Sequence, residues 1–326
     1  MAAYVSGLVS TIIPVHNRAT LLREAVESVL AQTHRPIEIL IVDDGSSDDT
    51  PEAIAALASA HPNEIRAFRQ ENRGPGAARE RARREVRGEF IQHLDSDDLL
   101  LPGKFELQVA GLEKHPDCDA SYGKTRYYAR GDEPGNVPLK RTGERIATMF
   151  PAFLQSRWWS TCTPLFRRSV IDRTGPWTAL RQEEDWEYDC RIAAQGVRLH
   201  WCEEFVCDVR EHDSDRAHRT PATRLRRLTD RAEAHRLIYG HARRAGIGSE
   251  QPEMRHFARE LFLLARQCGT AGLPAEARML FDLAREASGP ERARGWDFRL
   301  YRWMATGLGW RLAGQLSRVL DRVRGV

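Results

Sequence analysis

Lysine is almost missing from this chain of 326 residues: there are four, and none from Arg210 onward. That last stretch carries 23 arginines against 14 aspartates and glutamates, a net +9, whereas residues 1–209 carry −6. Long apolar runs are also lacking. None approaches the roughly 20 residues that cross a bilayer, and the N-terminus enters a strand without a basic region and cleavage site, which predicts a cytoplasmic protein. The six cysteines, Cys118, Cys162, Cys190, Cys202, Cys207 and Cys268, show no C-x-x-C spacing, so the expectation is buried reduced thiols rather than a zinc site or disulfide framework. Gly74-Pro75-Gly76 lacks the Gly-Lys-Ser/Thr ending of a P-loop, and no dinucleotide-binding glycine signature is present. No serine or cysteine sits in an obvious catalytic triad. The arginines are scattered through helical patterns without a nucleic-acid motif, so no nucleic-acid partner is expected.

Carboxylates are what the chain has, and they are clustered. The apolar run Gly88 to Leu94 leads into Asp95-Ser96-Asp97-Asp98. In an extended segment side chains alternate faces, so Asp95 and Asp97 would point the same way. Like charges that close need neutralising, and hard carboxylate oxygens suit Mg²⁺ or Mn²⁺. The competing reading is a helix start, since Ser and Asp favour N-caps and first turns. A second cluster, Asp43-Asp44-Gly45-Ser46-Ser47-Asp48-Asp49, follows the buried strand pattern Pro36 to Val42. Thr50-Pro51 then opens a helix on Ile54, Leu57 and Ala58. Ahead of both, Leu8 to Pro14 reads as a strand ending in Val15-His16-Asn17, followed by a helical stripe through Leu21, Leu22, Ala25, Val26, Val29 and Leu30. Strands alternating with helices predict an α/β fold: a doubly wound, mixed but mainly parallel sheet. Ligands of such sheets bind at the carboxyl ends of the strands, where His16, Asp43, Asp44, Asp95 and Asp97 would gather.

These residues carry a family resemblance. Ser10-Thr11-Ile12-Ile13-Pro14-Val15-His16-Asn17, Val42-Asp43-Asp44-Gly45-Ser46, Asn72-Arg73-Gly74 with Ala77-Ala78-Arg79, and Phe90 through Asp98 resemble family 2 glycosyltransferases in order and spacing. The resemblance continues through Glu184-Asp185-Trp186-Glu187 and ends near Arg210-Glu211-His212. It implies a GT-A fold, a nucleotide-sugar donor, Mn²⁺ or Mg²⁺, and inversion at the anomeric carbon. Asp44, with Asp43 behind it, resembles the aspartate that accepts a hydrogen bond from the base; Pro14 and Arg79 belong to the same nucleotide pocket, and His16 stands where tyrosine is commoner. Either aspartate could instead only brace its turn. The resemblance places Asp95 on the donor's ribose or sugar and Asp97 on the metal, and makes His212 a metal or phosphate ligand. Glu80 follows Arg79 where the family often has asparagine. Arg18, Arg73 and Arg79 are candidate counter-charges for the pyrophosphate.

For activation of the acceptor hydroxyl the candidate is Asp185, with Glu184 as runner-up. Trp186, Cys190, Ile192, Ala193 and Ala194 read as a helix that Gly196 ends, which puts Asp185 in the first turn, where the dipole favours the ionised carboxylate. The competing reading is an acidic helix start made for capping alone. The Q-x-x-R-W motif of polymerising relatives is absent, so single-sugar transfer to a glycan or lipid-linked acceptor in cell-surface or secreted polysaccharide assembly is expected. A silent nucleotide-sugar-binding protein or a sugar nucleotidylyltransferase is the alternative; the Gly-rich basic N-terminal loop of the latter is missing.

The expected catalytic domain spans 1–212, with a donor half at about 8–128 and an acceptor half at about 146–209; a helical extension covers 213–326. Residues 129–145, rich in Gly and Pro, read either as a lid or as a variable insertion. Trp158-Trp159 are candidates for stacking an acceptor sugar or for core packing. In the tail, Phe298, Tyr301, Ala305, Leu308, Leu312, Leu316, Val319 and Val323 form an apolar stripe expected to dock on the catalytic domain. Trp296, Trp303 and Trp310, with Arg299 among them, fall on another face, fit for an anionic membrane surface at the inner face of the cell membrane or for a homodimer contact.

Overall fold

The computed structural model describes residues 4–129, 131–211 and 221–324, and their contacts divide into two compact units. The first comprises the described residues of 1–149, 158–179 and 196–215. Its elements run β1 (Val5–Val15), α1 (Ala19–Leu30), β2 (Ile37–Asp43), α2 (Thr50–Ala60), β3 (Ile65–Arg69), α3 (Pro75–Arg83), β4 (Gly88–His93), β5 (Leu99–Leu100), α4 (Lys104–Lys114), β6 (Ala120–Ala129), β7 (Leu165–Arg167) and α5 (Arg168–Thr174). After α6 (Glu184–Ala193), which belongs to the other unit, β8 (Leu199–Glu211) completes one eight-stranded sheet in the order β3-β2-β1-β4-β7-β6-β8-β5.

The expected mixed, mainly parallel sheet is what forms. β3, β2, β1 and β4 are parallel neighbours; β7 runs antiparallel to both β4 and β6, β6 and β8 are parallel, and β5 is antiparallel to β8. Every residue of β2 is buried, as suits a central strand covered on both faces. Its Glu38 tolerates this because Ser10 Oγ donates to it at 2.6 Å and Arg87 through N and Nε at 2.7 and 2.8 Å. α1 covers one face with Leu22, Ala25, Val26 and Val29, a stripe at helical spacing. Against it pack Ile13, Ile39 and Ile41 of the sheet. All six cysteines are free thiols and all but Cys118 are buried.

The register brings the carboxyl ends of three strands to the same edge of the sheet. Val15 of β1 lies opposite Asp43 of β2, and Ile12 opposite His93 of β4. The ladders extend one residue beyond the strands: Asp44 N donates to Val15 O at 2.9 Å and Leu94 N to Ile12 O at 3.0 Å. Asp43 and Asp44, and Asp95 and Asp97, thus stand at or just beyond the carboxyl ends of parallel strands, as an alternating strand–helix chain leads one to expect.

Residues 131–149 contain no long element but are pinned to the first unit. Leu139 N donates to Thr125 O at 2.7 Å, Lys140 Nζ to Trp159 O at 2.8 Å and Trp201 Nε1 to Thr142 O at 3.2 Å. Trp158 and Trp159 are buried, 2% and 0% exposed. Arg141 lies over the Trp158 ring at 4.0 Å, and Tyr122 and Phe166 contact the Trp159 ring. The sugar-stacking expectation is therefore corrected in favour of core packing, because no ring face of that size is open.

The second unit comprises 150–157, 180–195 and the described residues from 221. Two segments of the expected catalytic span, 150–157 and α6, thus pack with the helical tail. That tail is α7 (Pro221–Arg244), α8 (Pro252–Ala271), α9 (Pro274–Ala287), α10 (Gly289–Arg292), α11 (Trp296–Leu308) and α12 (Trp310–Arg324). α8 and α9 form a hairpin, broken at Gly272, whose φ of 84° closes α8. α12 approaches α8 so closely that a Cβ on Gly314 would lie 2.6 Å from Thr270 N. An aromatic cluster of Phe262, Phe281, Phe298, Tyr301 and Trp310 fills the space between these helices. Trp310 is thereby drawn into the cluster, away from the outward face expected for it. Among the described residues no helix is long and apolar enough to cross a membrane.

Candidate active site

Asp95–Asp98 is a turn, not an extended segment: β4 ends at His93, and Asp98 N donates to Asp95 O at 3.1 Å. Neither does it start a helix, since the two-residue β5 follows. The crowded carboxylates are neutralised by arginines arriving from other elements. Arg79 of α3, 3% exposed, meets Asp95 at 2.6 Å, and Arg18, just ahead of α1, meets Asp97 at 2.7 Å. Asp95 and Asp97 remain open to solvent, at 33% and 16%. Asp98 is buried, and burial, then the charges of Asp97 and Asp95, pushes its carboxyl well above the usual carboxylate range. It accepts from Arg210 N at 3.3 Å, while Arg210 Nε donates to Asp97 O at 2.8 Å and its Nη1 pairs with Glu24. Arg210 at the end of β8 thus clamps the acid turn, a role invisible at a separation of more than 100 residues.

Arg79 is sandwiched. Trp177 lies under its guanidinium at 4.8 Å and packs nearly perpendicular to the His93 ring at 5.2 Å. The segment carrying Trp177 is tied down by Glu80, which accepts from Trp177 N at 3.3 Å and from Arg83 and Arg84. Burial alone would raise the Glu80 carboxyl, but the two arginines outweigh it and hold it below its ordinary value. Glu80, the departure from asparagine, therefore supports the Arg79 platform from behind.

The second cluster folds its own loop. Asp43 accepts from Ser46 N at 2.8 Å and lies 3.4 Å from Arg69. Asp44 accepts from Gln70 Nε2 at 2.8 Å, Arg73 N at 2.9 Å and Gly74 N at 2.8 Å. Both aspartates are nearly buried, and the bracing reading describes these bonds; a carboxylate offers about four acceptor sites, so Asp44 keeps capacity for a donor group. Pro14 is buried in β1, and His16 is exposed beyond its end. Asn17 adopts φ of 53°, an uncommon left-handed conformation for a side-chain-bearing residue, held by Ser47 N donating to its Oδ1 at 2.8 Å.

Asp185 lies in the first turn of α6 as expected. Arg157 bridges it to Asp189 one turn on, through Nη1 to Asp185 and Nε to Asp189 at 2.8 Å. Trp186 N donates to Asp185 Oδ1 at 2.7 Å. Asp185 is 29% exposed, whereas Glu184 is buried. Its neighbours are structural. Glu183 meets Arg231 at 2.7 Å and His235 at 3.1 Å; Glu187 meets Arg191 at 2.6 Å and His241 at 2.7 Å. Burial works to raise both carboxyls, and these hydrogen bonds and charges overcome it, leaving both below the ordinary value.

No three His, Cys, Asp or Glu side chains among the described residues are grouped to hold a metal by themselves; His212 lies outside the described residues. Asp95 and Asp97 nonetheless fit an ion of the Mg²⁺ or Mn²⁺ kind. Both are oxygen donors, both are reachable, and such ions are held by one or two carboxylates together with substrate phosphates.

Residues 10–188, more than half of the chain, match the sequence model of glycosyl transferase family 2. The chain belongs to that family. An uncharacterized glycosyltransferase of Rickettsia felis is 37% identical over 148 residues, covering 45% of this chain and 24% of that protein. Glycosyltransferase GlyG of Streptococcus pneumoniae is 34% identical over 140 residues, 43% of this chain and 45% of that protein. The chain thus spans from about a quarter to under half the length of these relatives. Residues 1–349 of S. aureus TarS, solved with UDP-GlcNAc, superpose with a TM-score of 0.68 at 18% identity over 95% of this chain and 91% of that one. The mannosyltransferase PcManGT of Pyrobaculum calidifontis, solved with GDP-Man and Mn²⁺, gives 0.53 at 21% identity over 96% and 87%. At such identities the likeness is one of fold, and the fold is of the GT-A type.

Proposed function

We propose that this glycosyltransferase moves a single sugar, with inversion, from a UDP-sugar to a hydroxyl of a glycan or lipid-linked acceptor in cell-surface or secreted polysaccharide assembly. The observation that carries the reading is the placement of Asp44, Asp95 and Asp97 just beyond the carboxyl ends of parallel strands, with Arg79 on Asp95 and Arg18 on Asp97. Such a site meets a nucleoside diphosphate with both hydrogen-bond acceptors and cations. UDP-GlcNAc in TarS supports the choice of uridine.

Asp44, Pro14 and His16 hold the nucleotide, and Asp95, steered by Arg79, holds the ribose or sugar. Asp97 and Asp95 would bind Mn²⁺ or Mg²⁺, with His212 a further candidate ligand. When bound, that ion neutralises charge on the departing diphosphate. Arg18, freed from Asp97 as phosphates arrive, adds counter-charge. Asp185 receives the acceptor's hydroxyl proton as the new C1–O bond forms and the C1–O bond to phosphate breaks; Glu184, being buried, is the weaker candidate. No enzyme nucleophile is needed for a single displacement. The missing Q-x-x-R-W motif supports transfer of one sugar at a time.

A panel of nucleotide sugars with Mn²⁺, assayed for slow release of the nucleoside diphosphate, tests this. One sugar should be hydrolysed above the rest, with the activity lost in Asp97→Ala. No turnover with any donor, together with no nucleotide binding, would favour an assembly role; release of pyrophosphate from a nucleoside triphosphate and a sugar phosphate would favour a nucleotidylyltransferase.

A further inference from the structure

α11 has two faces of opposite character. Phe298, Tyr301 and Ala305 are buried in the aromatic cluster. At about 100° per residue, Trp296, Leu300 and Trp303 fall within about 60° of one another on the opposite side. They are exposed by 65%, 40% and 72%. α12 repeats the arrangement: Ala313 and Ser317 are buried while Leu312 and Leu316 are 50% and 43% exposed, and Leu308 at the junction is 49% exposed. The expectation that Leu308, Leu312 and Leu316 dock on the catalytic domain is corrected accordingly, since all three are exposed; the side chains of Val319 and Val323 lie outside the described residues.

The charge around this face has one sign. Between Trp296 and Ser317 the sequence holds a single acid, Asp297, and Arg292 neutralises it through two bonds at 2.7 and 2.5 Å. Arg299, Arg302 and Arg311 are exposed beside the apolar residues. Indole rings set at headgroup depth, leucines below them and guanidinium groups at phosphate level are the composition of a helix lying in a bilayer interface. A symmetric contact between two copies would bring these arginine rims together, whereas an anionic lipid surface complements them.

We propose that the outward face of α11, formed by Trp296, Leu300 and Trp303 with Arg299 and Arg302, docks on a membrane surface rich in anionic lipid. The proposal stands apart from the donor chemistry. Its test is sedimentation of the full chain with vesicles of equal parts phosphatidylcholine and phosphatidylglycerol, against vesicles of phosphatidylcholine alone. The protein should pellet with the anionic vesicles at low salt and be released at high salt. Trp296→Ala/Trp303→Ala should lower partitioning at least tenfold, and each of Arg299→Gln and Arg302→Gln about fivefold. Because these side chains are exposed, unchanged thermal unfolding of the variants will separate lost binding from lost fold. A protein that stays in the supernatant at low salt overturns the proposal. So does a dimer in solution that Trp296→Ala/Trp303→Ala makes monomeric while vesicle binding is unaltered, for the face would then belong to a second copy.

Discussion

The acid turn at Asp95–Asp98 and the acidic start of α6 are written alike in the sequence, as dense carboxylates beside apolar residues, and they resolve their repulsion differently. In the turn, each open carboxylate meets one arginine that is itself suited to a phosphate, Arg79 on Asp95 and Arg18 on Asp97. The third carboxyl, Asp98, escapes by burial and a raised pKa. At α6, Glu183 and Glu187 are engaged by Arg231, His235, Arg191 and His241, while Asp185, 29% exposed, is held by Arg157 and by Trp186 N. Counter-charges that an anionic ligand can recruit mark a binding site. Counter-charges locked between helices mark a scaffold, and Asp185 within it is the carboxylate to which the proposed function assigns proton transfer.

The sharpest way to break this comparison is Asp185→Asn, which keeps the shape but removes the charge and turns one of the two oxygens that accept from Arg157 and Trp186 N into a donor. Transfer to acceptor should fall by about two orders of magnitude or more, measured as turnover at saturating donor; full retention would return the α6 acids to a capping role. Next comes Arg79→Ala, which strips Asp95 of its partner and Trp177 of its stacking cation. Donor affinity should drop about tenfold, with Arg79→Lys intermediate because an ammonium cannot reproduce the planar fork; nucleotide titration calorimetry reads it. Glu187→Gln tests the scaffold side. It should cost about 1–3 kcal/mol in chemical denaturation while leaving donor affinity unchanged.

The same scaffold predicts a pH dependence. Glu183 and Glu187 have native pKa values below their ordinary 4.5, so the unfolded chain binds more protons around that pH. Their stabilisation is complete above about 4.5 and disappears as pH falls through the lowered native values. Melting temperature should therefore decline below pH 4.5, and the decline should be shallower in Glu187→Gln.

Much of this was legible because periodicity reports burial. β1, β2, β4 and α1 lie where alternating and helical patterns put them, and the strand-end placement of His16, Asp43, Asp44, Asp95 and Asp97 follows from topology alone. What the sequence could not display is pairing across distance. Arg18 and Asp97 are 79 residues apart and Arg210 acts on Asp97 from 113 away. Trp177 gave no periodic signal, being on a connection after α5. Aromatic residues misled in both directions: Trp158-Trp159 read as a platform and are core, while Trp310 read as outward and joins the cluster on Phe281 and Tyr301. An indole is large and amphipathic, so its side of a helix or turn is decided by neighbours that the local pattern does not contain.

The most direct test of the division between the two acid clusters is calorimetric titration of the hydrolysable UDP-sugar with Mn²⁺ into Asp97→Ala and Asp185→Asn side by side. Asp97→Ala should lose metal-supported donor binding while Asp185→Asn binds like the unaltered protein. Equal loss in both variants, or normal binding by Asp97→Ala, would contradict that division.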